Sequence, residues 1–117
     1  MEKKSWNWIN KIEAAVDMAM SKKLCLYFDN YGEYTYIYIG DSYYFRIEEK
    51  TLILHTPKGF LKINNFYLTD REKLKLEEIL LAIKEYREAM ALSELERFIN
   101  EKESKLTDIN DLDNDDE

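Results

Sequence analysis

Tyr34, Tyr36 and Tyr38 stand at every second position of one short stretch, interleaved with Thr35, Ile37 and Ile39. Successive side chains of an extended chain point to opposite faces, so this spacing places three phenol rings on one side and a mainly aliphatic row on the other. Carrying the alternation into neighbouring segments adds Tyr27, Tyr44 and Arg46 to the ring side, with Lys62 or Lys23 beside them. Leu24, Leu26, Phe28, Ile37, Ile39, Phe45 and Ile47 then form the buried side. An open sheet face of rings and a few cations can stack unpaired bases and meet phosphate, each stack contributing about 1–3 kcal/mol whatever the base sequence. The same rings suit a protein interface, because a tyrosine buries its ring while its hydroxyl keeps a hydrogen bond. Tyrosine ladders also stabilise exposed sheets with no ligand at all.

Other chemistries lack their parts. His55 is the only histidine and Cys25 the only cysteine, which leaves a zinc site short of ligands and rules out an internal disulfide. Gly32, Gly40 and Gly59 stand isolated, so neither a phosphate loop nor a dinucleotide fingerprint is present. His55 with a serine and a carboxylate could in principle form a triad, but no Gly-x-Ser-x-Gly elbow is present. A lone strand histidine is more often structural. Asp111, Asp113 and Asp115 have the opening spacing of a calcium loop but not its later glycine and glutamate. We therefore expect a non-enzymatic binding protein with no metal and no cofactor.

The elements that must hold the rings follow from periodicity. Ser5 is placed to cap a first helix, whose apolar face is Trp8, Ile12, Ala15, Val16 and Ala19, running to about Met20. Core packing accounts for Trp8 better than a membrane-surface helix does, since Glu13 and Asp17 interrupt the basic face made by Lys3, Lys4 and Lys11. From Lys22 to Phe66 the period changes to two, with turn residues at regular intervals. This predicts a five-stranded antiparallel meander with strands at 22–28, 33–39, 43–49, 51–55 and 60–66. Thr69 and Glu72 form a capping box that opens a second long helix, with a seam of Leu76, Ile79, Ile83, Tyr86 and Met90. The seam changes phase at Leu92, Leu95, Ile99 and Leu106, and Ser93 with Glu96 offers a fresh capping box. A bend or break is expected at 90–93. The later stripe suits a homodimer contact through the C-terminal helix. The fold class is α+β.

Charge separates the body from the tail. Of the net −7 carried by the 117 residues, the segment from Thr107 contributes −6, leaving −1 for residues 1–106. A near-neutral body argues against a whole-surface nucleic-acid mimic. Residues 1–106 read as one domain and 107–117 as an acidic tail with too little to bury to stay ordered. No apolar run approaches the roughly 20 residues of a membrane span. Asn10, Lys11, Glu13 and Asp17 interrupt any signal-peptide centre, and a single cysteine fits a reducing compartment. These features predict a cytoplasmic protein with no membrane contact, in the host cytoplasm if the chain is viral.

The junction Leu61-Lys62-Ile63, then Phe66-Tyr67-Leu68-Thr69-Asp70-Arg71-Glu72-Lys73-Leu74 and the amphipathic run to Met90, resembles the end of a positive-cofactor-four/whirly single-stranded-DNA-binding domain. The fuller plan of helix, sheet, helix and acidic tail resembles small single-stranded-DNA-binding proteins of archaeal viruses. The resemblance covers residues 5–117 in outline. It implies that Tyr27, Tyr34, Tyr36, Tyr38 and Tyr44 face unpaired bases, with Arg46 and Lys62 on phosphate and the tail competing for the same face. Those families carry more lysine and arginine on the sheet than this chain does. A rival expectation is a small phage or mobile-element protein that inhibits a host nuclease or defence complex by stoichiometric binding through the same tyrosine face or the tail.

Overall fold

The computed structural model describes the backbone of residues 4–116 and the side chains of residues 5–102. The chain runs α1 (Lys4–Ser21), β1 (Leu26–Tyr31), β2 (Tyr34–Ile39), β3 (Tyr43–Ile47), β4 (Thr51–Thr56), β5 (Gly59–Asn64) and α2 (Asp70–Asp116). The strands form one antiparallel sheet in sequence order. This is the expected α+β plan of helix, five-stranded meander and long helix. Two compact units compose it, Met1–Tyr86 and Arg87–Glu117.

Two-residue loops set the register of the outer hairpins. Tyr31 pairs with Tyr34 across Gly32 and Glu33, and Gly32 takes a φ of 58°, which an L side chain adopts only under strain. Thr56 pairs with Gly59 across Pro57 and Lys58, where proline pre-sets the turn. With register held at both ends, Leu26, Ile37, Ile39, Phe45, Ile47 and Leu52 all fall on one face and are buried. Ile9, Ile12, Val16 and Ala19 of α1 and Leu76, Ile79, Leu80 and Ile83 of α2 close over them in one cluster. Each of the larger side chains, Val, Leu, Ile or Phe, contributes about 1.5–3 kcal/mol by leaving water.

The first strand begins at Leu26 rather than at residue 22. Instead of extending, residues 19–24 end α1 in a Schellman turn: Leu24 N–H donates to Ala19 O (2.9 Å) and Lys23 N–H to Met20 O (3.1 Å). Lys23 occupies the left-handed position with φ 57°. It therefore lies off the sheet, and Leu24, expected in the core, is exposed in the turn while its carbonyl accepts from Tyr86 Oη (2.9 Å).

The helix starts meet at one carboxylate. The capping box forms as expected, with Glu72 N–H donating to Thr69 Oγ1 (3.2 Å) and Thr69 N–H to Glu72 Oε1 (2.7 Å). Ser5 does not cap α1. It lies within the first turn, and its Oγ donates to Glu72 Oε2 (2.6 Å). Glu72 is thus buried with both oxygens engaged. A second link, Lys75 Nζ to Glu13 Oε2 (2.7 Å), joins the helices further along.

Of the bend or break expected at 90–93, the break does not occur, since Ser93 lies inside a continuous α2. Leu92, Leu95, Phe98 and Ile99 on that part of the helix are exposed. Where a disordered tail is expected at 107–117, the backbone of residues 107–116 continues α2, and their side chains and Glu117 lie outside the described residues.

Two substitutions test these terminations by urea denaturation. Glu72→Ala strips the acceptor from two donors and should cost about 2–3 kcal/mol, against about 1 for Thr69→Ala. Equal losses would show that the Ser5 bond contributes nothing. Lys23→Gly should add about 0.5–1 kcal/mol, the left-handed penalty less the extra chain entropy of glycine.

Candidate binding face

The ring side of the sheet carries more aromatic groups than the tyrosine spacing alone revealed. The register aligns Tyr27, Tyr38, Tyr44, His55 and Phe60 as one row, each from a different strand. Ring centroids along it lie 4.4 Å apart for Tyr27–Tyr38, 5.5 Å for Tyr38–Tyr44, 4.2 Å for Tyr44–His55 and 5.8 Å for His55–Phe60. The next row is Asp29, Tyr36, Arg46, Ile53 and Lys62. Tyr31 and Tyr34 begin a third. Tyr36 ties the rows together, edge-on to Tyr31 at 5.9 Å and stacked with Tyr38 at 5.9 Å. The core cluster draws on both helices and the aliphatic face, and none of these ring-side residues belongs to it.

Ring orientation decides what the row can do. Tyr27 and Tyr38 are 12° from parallel, and Tyr44 and His55 are 14° from parallel. Strands lie about 4.8 Å apart, so rings stacked across them stand upright on the sheet. Within those pairs the π faces cover one another. Such offset aromatic pairs each add about 0.5–1.5 kcal/mol beyond the area they bury.

The cations are differently placed. Arg46 Nε lies 2.7 Å from Glu48 Oε2, an ion pair off the direction of a hydrogen bond, and the guanidinium sits 5.4 Å from the centre of the Tyr34 ring. Lys62 is exposed and has no ion-pair partner among the described residues. Asp29 lies in the same row, so the face is close to neutral. Tyr31 has its phenol pKa raised chiefly by the negative charge of Asp29, whereas Tyr38 is raised first by burial and then by Asp29. Both hydroxyls stay protonated at neutral pH.

All seven residues singled out for binding, Tyr27, Tyr34, Tyr36, Tyr38, Tyr44, Arg46 and Lys62, fall on this face. Periodicity missed Tyr31, His55, Ile53 and Phe60. The Pro57-Lys58 loop held the signal, because a two-residue turn there obliges His55 to face Phe60. His55 makes no side-chain hydrogen bond among the described residues and is packed between two rings. On the helix side an open cleft of about 580 Å³ is lined by Glu33, Glu48, Glu49, Glu77 and Lys73 among others. No group of metal-ligating side chains converges among the described residues.

Fold and face together define an α+β protein with a helix layer on one side of an antiparallel sheet and an aromatic wall on the other. No protein-family model, curated protein or solved structure matches this chain. No helix among the described residues is long and apolar enough to cross a membrane.

The raised phenol pKa values carry a sign. The folded state holds these protons more tightly than the unfolded chain does, so stability should fall as pH rises from about 10 through the shifted values. Asp29→Asn should bring Tyr31 back toward 10 and leave Tyr38 still raised, read as tyrosinate absorbance in a pH titration. An unchanged Tyr31 curve would discard Asp29 as the cause.

Proposed function

We propose that this chain is a non-enzymatic binding protein that docks a partner protein on its aromatic sheet face and acts by stoichiometric occlusion. The observation that supports this most is the upright row. Ring edges tipped with hydroxyls offer apolar area and hydrogen-bonding groups in one rigid plane, with charge largely paired, and interface centres are enriched in tyrosine and depleted of free charge. The rings are already locked against each other, so binding costs them little rotamer entropy.

Single-stranded nucleic acid is the second reading, with the five tyrosines under bases and Arg46 and Lys62 on phosphate. The exposed Tyr31, Tyr34 and Phe60 rings and the free Lys62 favour it. Against it stand the covered faces of the paired rings, the Arg46–Glu48 pair and the Asp29 charge, because non-specific strand binding draws on a surplus of cations.

The exposed stripe Leu92, Leu95, Phe98 and Ile99 supplies a second docking element, since a lone helix in water gains little without an apolar face to bury. The anionic segment from Asp108 suits a cationic patch on the same partner.

Oligonucleotide titration at low salt, run beside pull-down from nuclease-treated lysate, separates the readings. We expect a retained protein that Tyr36→Ala with Tyr44→Ala releases, each truncation at the centre costing about 2 kcal/mol, roughly 30-fold in Kd. Saturable, salt-sensitive oligonucleotide binding that Tyr36→Ala with Arg46→Ala abolishes would replace this reading with the nucleic-acid one.

A further inference from the structure

β5 is an edge strand whose outer side pairs with no strand among the described residues. It is bonded on one side only, to β4. The loop Pro57-Lys58 makes Thr56–Gly59 the hydrogen-bonded pair that closes the hairpin, and bonding then alternates along the ladder. Gly59, Leu61 and Ile63 turn their N–H and C=O groups toward β4, while Phe60, Lys62 and Asn64 turn theirs outward. Side chains are uncovered too. Phe60 is 66% exposed on the ring side and Leu61 47% exposed on the helix side. An edge apolar on both faces and free of proline is a template for another strand.

We propose that a second copy of this chain docks there, β5 against β5, antiparallel about a two-fold axis at Leu61. Charge selects the register. An axis at Lys62 sets that lysine against itself, and an axis at Phe60 sets it against Lys58. An axis at Leu61 places Lys62 opposite Phe60 of the second copy, a cation beside a ring, and each Leu61 against its counterpart. In that register the outward groups of Phe60 and Lys62 bond to those of Lys62 and Phe60 across the axis. The two sheets become one, with both aromatic walls on the same side. Self-association then belongs to the β5 edge, where directional unpaired backbone groups join the exposed apolar area of Phe60 and Leu61, and the C-terminal stripe is left for the partner protein. Nothing in this rests on the identity of that partner.

Sedimentation equilibrium of the full chain, with amide exchange, tests it. We expect a concentration-dependent dimer in which the Phe60 and Lys62 amides exchange more slowly as concentration rises, while those of Leu61 and Ile63 change little. Lys62→Pro removes an outward N–H alone, a change an edge strand tolerates, and should weaken association at least about tenfold. Phe60→Lys should weaken it likewise, whereas Phe60→Glu, which opposes Lys62 with a carboxylate, should preserve or tighten it. A monomer at every concentration overturns the proposal. So does a dimer dissociated by Ile99→Glu and indifferent to Lys62→Pro, and equal behaviour of Phe60→Lys and Phe60→Glu overturns the register.

Discussion

Register is the constraint on which this molecule turns. Strand side chains alternate with a period of two, so a slip of one residue anywhere in the meander would carry Ile37, Phe45 and Leu52 into water and the tyrosines into the core. Two short turns at the sheet's outer hairpins, Gly32-Glu33 and Pro57-Lys58, hold the pairing from both ends. The row of rings reinforces it from above, because Tyr38 can stack on Tyr27 and Tyr44 on His55 only in the native alignment. Core and wall thus specify the same pairing from opposite faces.

The helix layer answers to a different interaction. Glu72 belongs to the cap of α2 by sequence, yet its second oxygen accepts from Ser5 at the start of α1, far away in the chain. A buried carboxylate is costly unless each oxygen is satisfied, so the two helix starts must arrive together. The positive end of the α2 dipole, in whose first turn Glu72 lies, favours the negative charge there. Leu26 and Ile37 share one buried cluster with residues of both helices, and the opposite face of the sheet is left to the rings.

How far this was legible depended on the range of the signal. The capping box at Thr69 and Glu72, the alternation at 34–39 and the apolar face of α1 are local, and each appears where periodicity placed it. Ser5 has the residue type of a helix cap, but its partner is 67 positions away, beyond any local pattern. Lys23 misled because the left-handed end of a helix ordinarily announces itself with glycine, and here a lysine bears the strain. Ser93 with Glu96 has the pattern of a helix start, but an unbroken run of helix-forming residues on both sides outweighs it. Of the binding face, the tyrosines and Arg46 were readable strand by strand. His55 and Phe60 required knowing how two strands align.

That alignment changes the meaning of the tyrosines themselves. Read singly, each is a free ring awaiting a base. Read across the sheet, Tyr27 is spoken for by Tyr38 and Tyr44 by His55, at centroid distances of 4.4 and 4.2 Å. A wall that satisfies its own π faces keeps its shape without a ligand, as a cross-strand structural ladder does.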